Sequence, residues 1–187
     1  MTPREVVAAA CENDDLLAAL PSFRTFMELD VAAYGPRTRV PEQEIAWALD
    51  LTRANMEKMY APVWGAWSDA AKRAELVHED ARFLVAYREG TPVAFVHFRF
   101  ELPADDLRAQ VYVMDVQLSA GVRRRGLGRF LMRLVELLGR GHGMALVALT
   151  VMRANVAARA LYRSLGFSED GTQPEGPVLY QILSKTL

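Results

Sequence analysis

Asp115 is an acidic residue inside an apolar stretch, VYVMDVQL at 111–118. The β-branched residues and the length of this stretch predict a mostly buried β-strand. Carboxylates are depleted in strands because burial removes their hydration, so Asp115 needs a reason beyond folding. We therefore predict a chemical role for this side chain. The alternative is a structural acid that pairs with a buried arginine such as Arg99.

A basic segment with two glycines, RRRGLGR at 123–129, follows this strand. The next residues, 130–138, carry apolar side chains at helical spacing. Glycines let the backbone approach a ligand closely, and the free N–H groups and dipole of a starting helix favour an anion. Strand, loop and helix together predict a site for a pyrophosphate. The alternative is a helix start whose arginines are merely solvated.

The spacing Arg-x-x-Gly-x-Gly, from Arg123 to Gly128, resembles the acetyl-CoA loop of the GNAT acetyltransferases. It lacks the Gly-Lys-Ser/Thr of a P-loop and the third glycine of the dinucleotide fingerprint. The resemblance implies an α/β GNAT acyl-CoA N-acyltransferase fold, a mixed central β-sheet flanked by helices, with acetyl-CoA as cosubstrate and no metal. The cofactor-binding residues expected on this basis are Val116, Gln117, Leu118, Arg123, Arg124, Arg125, Gly126, Leu127, Gly128, Arg129 and Asn155.

Acyl transfer to an amine requires a bound thioester, an unprotonated nucleophile and support for an oxyanion. A backbone N–H near residues 116–118, where the strand splays from its neighbour, is predicted to support the oxyanion. Asp115 is the candidate base, acting through a water. We further predict that Tyr162 protonates the departing thiolate and that Asn155 bonds the pantetheine arm. The alternatives are a core tyrosine and a helix cap.

Length and composition predict a globular chain with a sizeable core: 187 residues, 51% hydrophobic and 24% charged. The net charge of -1 disfavours nucleic-acid binding through a basic surface. The one cysteine, Cys11, cannot form an internal disulfide and fits a reducing compartment. No signal-peptide layout is evident. No apolar run reaches the ~18 residues that a membrane span needs. The three histidines are too far apart in the sequence to suggest a zinc cluster.

Periodicity and turn residues predict the elements that position these groups. We expect a helical segment at 1–22, with a second helix start near Asn13, and an acetyltransferase domain at 23–187. Residues 23–31 predict a strand, with a short helix as the alternative. The other predicted elements are a helix from Pro41, a helix at 69–77 capped by Ser68 with an exposed charged face, hairpin strands at 82–87 and 93–101, a strand at 144–151, a helix opened near Asn155 and a strand at 177–183.

An aromatic segment, YAPVWGAW at 60–67, is predicted to be a non-helical loop because it contains Pro62. Its side chains Tyr60, Trp64 and Trp67 are expected to wall a narrow site. Ordinary packing of the loop on its own domain is the alternative.

Over residues 29–185 the chain is similar to the NatD branch of the GNAT superfamily, the N-alpha-acetyltransferases of histone H4 and histone 2A. The segments that carry this resemblance are WALDL at 47–51, NM at 55–56, MY at 59–60, WG at 64–65, PVAF at 92–95, HFRF at 97–100, VQL at 116–118, VRR at 122–124, GLG at 126–128, Tyr180 and ILS at 182–184. The resemblance implies that Asp115 is the catalytic acid and that Glu101 binds the substrate N-terminus. It places Tyr60, Trp64, Tyr112 and Tyr180 in an aromatic substrate pocket.

The same resemblance implies an acceptor that begins Ser-Gly-Arg-Gly, with Glu101, Asp105 or Asp106 near its arginine. It implies a monomeric protein that is located in the cytoplasm and the nucleus. Its expected partners are histone N-terminal peptides, and no direct contact with nucleic acid or membrane is expected. Two positions depart from the family: Asp115 replaces the usual Glu, and Met114 replaces a tyrosine. The shorter acid makes an intervening water more important.

Three alternatives stay open at this point. The alternative for Glu101 is an ordinary surface residue that binds no substrate. The same fold could acetylate lysine side chains or a small amine. The chain could also be a non-catalytic acetyl-CoA-binding module.

Overall fold

The computed structural model describes residues 1–13, 15–103 and 107–187. Its strands are β1 (Thr25–Phe26), β2 (Leu29–Tyr34), β3 (Arg82–Arg88), β4 (Thr91–Glu101), β5 (Gln110–Leu118), β6 (Leu146–Met152), β7 (Ser168–Glu169) and β8 (Tyr180–Thr186). In the described chain they form an eight-stranded sheet in the order β1-β2-β3-β4-β5-β6-β8-β7. Neighbouring strands are antiparallel except β5 and β6, which run parallel. The predicted mixed sheet is confirmed.

Helices cover both faces of this sheet: α1 (Pro3–Cys11), α2 (Glu42–Trp64), α3 (Asp69–Leu76), α4 (Leu127–Gly141) and α5 (Val156–Ser164). The main apolar cluster lies under α1, α4 and α5 and includes Ala10, Leu131 and Tyr162. A smaller cluster lies on the other face, where Ile45 of α2 and Leu76 of α3 pack on the sheet. In the part of the chain that is described, no helix is both long and apolar enough to cross a membrane.

Polar side chains start two of the helices that matter for the site. Ser68 Oγ accepts a hydrogen bond from the Ala71 N–H at the start of α3. Asn155 Oδ1 accepts one from the Ala158 N–H at the start of α5. Such caps satisfy N–H groups that the first helical turn leaves free. Both predicted caps are confirmed.

Helix α2 continues through Pro62 and ends at Trp64. The prediction of a non-helical segment over 60–67 is therefore wrong for its first half. A proline removes one helical hydrogen bond, but Pro62 lies in the last turn of α2, where little helix remains to be disturbed. Gly65, with φ 83°, then ends the helix in a conformation that favours glycine.

Two predictions near the N-terminus are also wrong. Residues 16–19 form turns instead of a second helix, and Leu16 and Leu17 are buried in the main cluster. This apolar stretch is short and ends at Pro21, so burial of the leucines decides its conformation. Residues 23–31 are not one strand, because the chain reverses at Met27, with φ 52°, between β1 and β2.

Candidate functional site

Strands β5 and β6 separate halfway along their length. In the described chain they pair only from Gln110 to Val113, against Leu146 to Leu149. Beyond that point β5 continues beside β4, and β6 continues beside β8. The predicted splay at residues 116–118 is confirmed. It opens a gap between the two halves of the sheet.

A β-bulge in β5 directs Asp115 away from the main core. Asp115 pairs with His97 of β4, but in the described chain Met114 has no partner there. The extra residue shifts the alternation of side chains. As a result Val113 lies in the main cluster and Val116 packs against the same cluster. Asp115, between them, faces α2 and α3.

A groove of about 650 Å³ lies beside the splay. Gly126, at φ 86°, directly precedes α4, so the free N–H groups of the first turn of this helix begin at the groove. The predicted cofactor residues that line it are Val116, Gln117, Leu118, Arg123, Arg124, Gly126, Gly128, Arg129 and Asn155. Arg125 is exposed outside this lining, and the side chain of Leu127 is buried in the main cluster.

Hydrogen bonds from two arginine side chains and one close helix contact fix the walls of the groove. Arg123 Nε donates to the Leu118 carbonyl at 3.0 Å, and Arg129 Nη2 donates to Ser164 Oγ at 2.7 Å. A Cβ on Gly128 would lie 3.3 Å from Leu161 Cδ2, so the close approach of α4 to α5 favours glycine there. Arginines, free N–H groups and a long groove fit an acyl-CoA, whose phosphates are anionic.

Asp115 is buried next to two nitrogen-containing side chains. Its side chain is 0% exposed, and Oδ2 lies 3.4 Å from Lys72 Nζ and 3.5 Å from His97 Nδ1. Burial alone would raise the pKa of Asp115, but contact with His97 and the charge of Lys72 outweigh burial and hold this pKa below its ordinary value. The ionic partner is therefore Lys72, whereas Arg99, the partner predicted in the structural alternative, donates to the Glu75 carbonyl.

Lys72 is a site residue that was not predicted from the sequence. Helix α3 was predicted to carry exposed charges, but Lys72 is only 8% exposed, and its Nζ also lies 2.5 Å from Glu75 Oε2. Burial would lower the pKa of Lys72, but Asp115 and Glu75 together raise it. A signal was present: Lys72 and the buried Leu76 are four residues apart, on the same face of a helix.

His97 is the second missed residue. It is 0% exposed, and its ring stacks on Phe83 with a centroid distance of 4.8 Å. Burial lowers the pKa of His97 and outweighs the contact with Asp115, which would raise it. The imidazole is therefore neutral at pH 7. The sequence contained a signal here as well, because His97 is a polar residue that directly follows the apolar run from Val93 to Val96.

Tyr162 lies where the groove meets Asp115. A small cavity of about 40 Å³ is lined by Tyr60, Asp115, Asn155 and Tyr162, among others, and Tyr162 also lines the groove. Burial, and next the charge of Asp115, raise the pKa of Tyr162. Its phenol is therefore protonated at neutral pH and can donate a proton. Tyr162 also packs on Phe167, at 5.8 Å between centroids, so it belongs to the core as well.

Four aromatic side chains cluster at the end of α2 and the start of β8. Tyr60 lies 4.7 Å from Trp64 and 6.1 Å from Trp67, and Trp64 lies 6.4 Å from Tyr180, all between ring centroids. Trp64 is 57% exposed, so this cluster is open to solvent on one side. The structure thus brings together Tyr60, Trp64 and Tyr180, three of the four predicted substrate-pocket aromatics.

Tyr112 and Glu101 are placed differently. The phenol of Tyr112 shares a 2.7 Å hydrogen bond with Thr150 Oγ1 of β6. Glu101, at the end of β4, accepts a hydrogen bond from Gln110 Nε2 at 2.8 Å. Within the described residues, neither side chain lines the groove or the small cavity. Asp105 and Asp106, the other predicted contacts for a substrate arginine, fall outside the described residues.

Comparison with known proteins agrees with this architecture. The Acetyltransferase (GNAT) family matches residues 48–167. A PaiA N-acetyltransferase from Thermoplasma acidophilum, in complex with coenzyme A, is 15% identical with a TM-score of 0.61, over 84% of this chain and 99% of that one.

Two further structures contain peptides or peptide analogues. Arabidopsis thaliana Naa50, in complex with the bisubstrate analogue CoA-Ac-MVNAL, is 20% identical with a TM-score of 0.59, over 84% of this chain and 99% of that one. The NatC complex bound to Gag peptide and CoA is 19% identical with a TM-score of 0.63, over 86% of this chain and 99% of that one. At these identities the likeness concerns the fold.

Proposed function

The chain belongs to the GNAT acetyltransferase family, and on this premise we propose that it transfers the acetyl group of acetyl-CoA to the α-amine of a peptide N-terminus. The observation that carries this proposal is the position of Asp115. This buried carboxylate lies at the splay of β5 and β6, beside the small cavity that Tyr162 shares with the groove.

The groove has the residues to hold the cosubstrate. Arg123, Arg124 and the free N–H groups that follow Gly126 would bind its pyrophosphate. Gln117 and Asn155 would lie along the pantetheine arm. When bound there, acetyl-CoA supplies the activated acyl group.

The low basicity of Asp115 favours an α-amine as acceptor. Contact with His97 and the charge of Lys72 keep the pKa of Asp115 below its ordinary value, so this carboxylate is a weak base. An α-amine titrates near ~8 and is partly neutral at physiological pH, whereas a lysine amine titrates near ~10.4. A weak base such as Asp115 is therefore better suited to deprotonate an α-amine than a lysine amine. It would accept the proton through a water. Tyr162 would protonate the departing thiolate.

The acceptor pocket proposed here is the aromatic cluster of Tyr60, Trp64 and Tyr180. Its rings would enclose a small first residue beside Asp115, since Tyr60 also lines the small cavity. The peptide complexes of Naa50 and NatC support a peptide acceptor on this fold. The N-terminus of histone H4 or histone 2A, beginning Ser-Gly-Arg-Gly, is the acceptor sequence that we propose, with Glu101 near its arginine.

Acetyl-CoA turnover with matched peptides tests this function. One Ser-Gly-Arg-Gly peptide with an internal lysine is used with a free N-terminus, and a second is blocked at the N-terminus. We expect turnover with the free peptide alone and the acetyl group on the α-amine by mass spectrometry. Acetylation of lysine in the blocked peptide would favour the lysine acetyltransferase instead. Peptides that differ in their first four residues then test the histone sequence separately.

A further inference from the structure

The contact between Lys72 and Asp115 assigns a role to a residue of α3, and this inference rests on the proposed function of Asp115. We propose that Lys72 is a positioning residue, whose ammonium keeps Asp115 ionised and holds its Oδ2 toward α3. Oδ1 accepts a hydrogen bond from Gln117 Nε2 at 3.5 Å and keeps a second lone pair for the water that receives the amine proton.

Lys72 is itself held in place by three groups. Its Nζ lies 3.4 Å from Asp115 Oδ2 and 2.5 Å from Glu75 Oε2. The same ammonium lies 5.9 Å from the centroid of the Tyr60 ring, within cation–π range. Because Lys72 is only 8% exposed, these protein groups replace most of its hydration. The ammonium therefore has a defined position next to the carboxylate.

His97 also favours the ionised carboxylate through its contact with Oδ2, but none of the other titratable groups that face Asp115 in the described chain pairs a positive charge with it. They are His97 and Arg99 of β4, Glu75 of α3, Tyr60 of α2 and Tyr162 of α5. The two tyrosines and His97 are neutral at pH 7, and Glu75 is an acid. The Arg99 guanidinium is directed to the Glu75 carbonyl. Lys72 is the cation that forms an ion pair with Asp115 in the described chain.

Loss of the Lys72 charge should therefore change the protonation of Asp115. Without this charge only the contacts with His97 and Gln117 oppose burial, which penalises the charged carboxylate, so the protonated form of Asp115 becomes more favourable. The acid would then stay protonated to higher pH and could not receive the amine proton there. A purely structural role of Lys72 would lower the stability of the protein but leave the titration of Asp115 unchanged.

The test compares Lys72→Met with Lys72→Arg and with Arg73→Met. Arg73 neighbours Lys72 on α3, but it is exposed and pairs with Glu42, so its variant controls for the loss of one positive charge on this helix. Carbon-13 NMR of labelled aspartate carboxyls, in the free enzyme, measures the titration of Asp115 directly, with Asp115→Asn to assign its signal. The pH dependence of kcat/KM with a free N-terminal peptide is the second readout.

We expect Lys72→Met to raise the titration midpoint of Asp115 by about one pH unit or more. The profile of kcat/KM first falls where the α-amine of the peptide is protonated, near ~8, and the second break at lower pH, which Asp115 gives, should shift in the same direction as the NMR midpoint. In Lys72→Arg and in Arg73→Met, Asp115 should titrate as it does in the wild type.

An unchanged Asp115 titration in Lys72→Met overturns the proposal. If Lys72→Met does not fold, Lys72→Gln gives the same comparison with a polar side chain. The NMR titration needs neither acetyl-CoA nor peptide. A wild-type protein that acetylates no peptide would therefore refute the proposed function, whereas the NMR result decides the role of Lys72.

Discussion

Arg123 Nη2 donates a hydrogen bond to Asn55 Oδ1 at 2.6 Å, and this contact ties the loop before α4 to helix α2 across the groove. Asn55 also donates from Nδ2 to Gln117 Oε1 at 3.0 Å. One amide therefore joins three parts of the proposed acetyl-CoA site: α2, β5 and the basic loop. The arginine is oriented before any ligand binds, which reduces the entropy lost on binding.

Asn55→Ala should weaken the binding of CoA because Arg123 loses its partner. Because this hydrogen bond is exposed, its loss should cost about 0.7–1.4 kcal/mol, which predicts a rise in Kd of about 3- to 10-fold. Isothermal calorimetry with CoA measures it. Lys58→Ala, at an exposed position on the same helix, is the control and should bind as the wild type does. Equal affinity for the Asn55 variant would show that Arg123 needs no support.

Gly126→Ala should destabilise the fold, because Gly126 has φ 86° and alanine disfavours the left-handed region. An added Cβ would meet Phe26 at an ordinary 3.6 Å, so the effect comes from the backbone and not from a clash. We expect a fall of about 1 kcal/mol in the free energy of unfolding, measured with urea. Gly126→Asn should lose less free energy of unfolding than Gly126→Ala, since asparagine tolerates the left-handed region better than alanine does.

Gly121→Ala is the matched control for this variant. Among the described residues no atom lies within 4 Å of an added Cβ at Gly121, and the φ of Gly121 is not in the left-handed region. Its free energy of unfolding should stay the same or rise slightly, because alanine restricts the unfolded chain. An equal loss in Gly121→Ala and Gly126→Ala would argue against the backbone explanation.

Asp115→Asn should remove the proposed base while keeping the shape of the site. We expect kcat/KM to fall by about 10² to 10⁴-fold with a free N-terminal peptide. The Kd for CoA should not change, since the phosphates would bind at the other end of the groove. Asp30→Asn, at an exposed position of β2, should have wild-type kinetics. An active Asp115→Asn enzyme would leave this carboxylate with a structural role only.

Residues that break the pattern of their own segment could be predicted from the sequence. Asp115 is a carboxylate in a strand, and Arg123 to Gly128 join arginines and glycines before a helix. The caps Ser68 and Asn155 are equally local, because they bond N–H groups three residues away. These signals depend on neighbours in the chain, so no knowledge of tertiary structure was needed.

Residues whose role depends on contacts between distant segments could not be predicted. Lys72 reaches Asp115 from 43 residues away along the chain, and His97 meets it across a strand pair with a bulge. The spacing of Lys72 and Leu76 could indicate that Lys72 is buried, but local periodicity gives neither the register of β4 and β5 nor the side chain that Lys72 meets. Pro62 shows the converse error: its local helix-breaking tendency is overcome in the last turn of α2.

The buried His97 should make stability depend on pH. Burial holds the pKa of His97 below its ordinary value, so the unfolded chain binds a proton more readily than the folded one. The contribution of His97 to stability is therefore fully present above the pKa of the unfolded chain. It is lost as the pH falls through about 6.5 toward the lower pKa of the folded state. Between about pH 7.5 and about pH 5.5, His97 should account for a loss of about 1 kcal/mol.

Urea unfolding at these two pH values measures this loss. His97→Phe keeps an aromatic ring on Phe83 and should lose less stability over the interval than the wild type. His78→Gln removes an exposed histidine and is the control for the loss of a histidine elsewhere in the chain. Identical pH dependence in wild type and His97→Phe would mean that His97 is not buried in its neutral form.

Tyr162→Phe separates a chemical role of the phenol from a packing role of the ring. The ring packs on Phe167, a contact that phenylalanine keeps, so the free energy of unfolding and the Kd for CoA should change little. If the phenol protonates the departing thiolate, kcat should fall by about 100-fold. Tyr34→Phe is the matched control: its phenol bonds Tyr87 at 2.7 Å, and neither residue lines the groove or the small cavity in the described chain. A Tyr162→Phe enzyme with wild-type kcat and altered stability would assign Tyr162 to the core alone, and the thiolate would then take its proton from water.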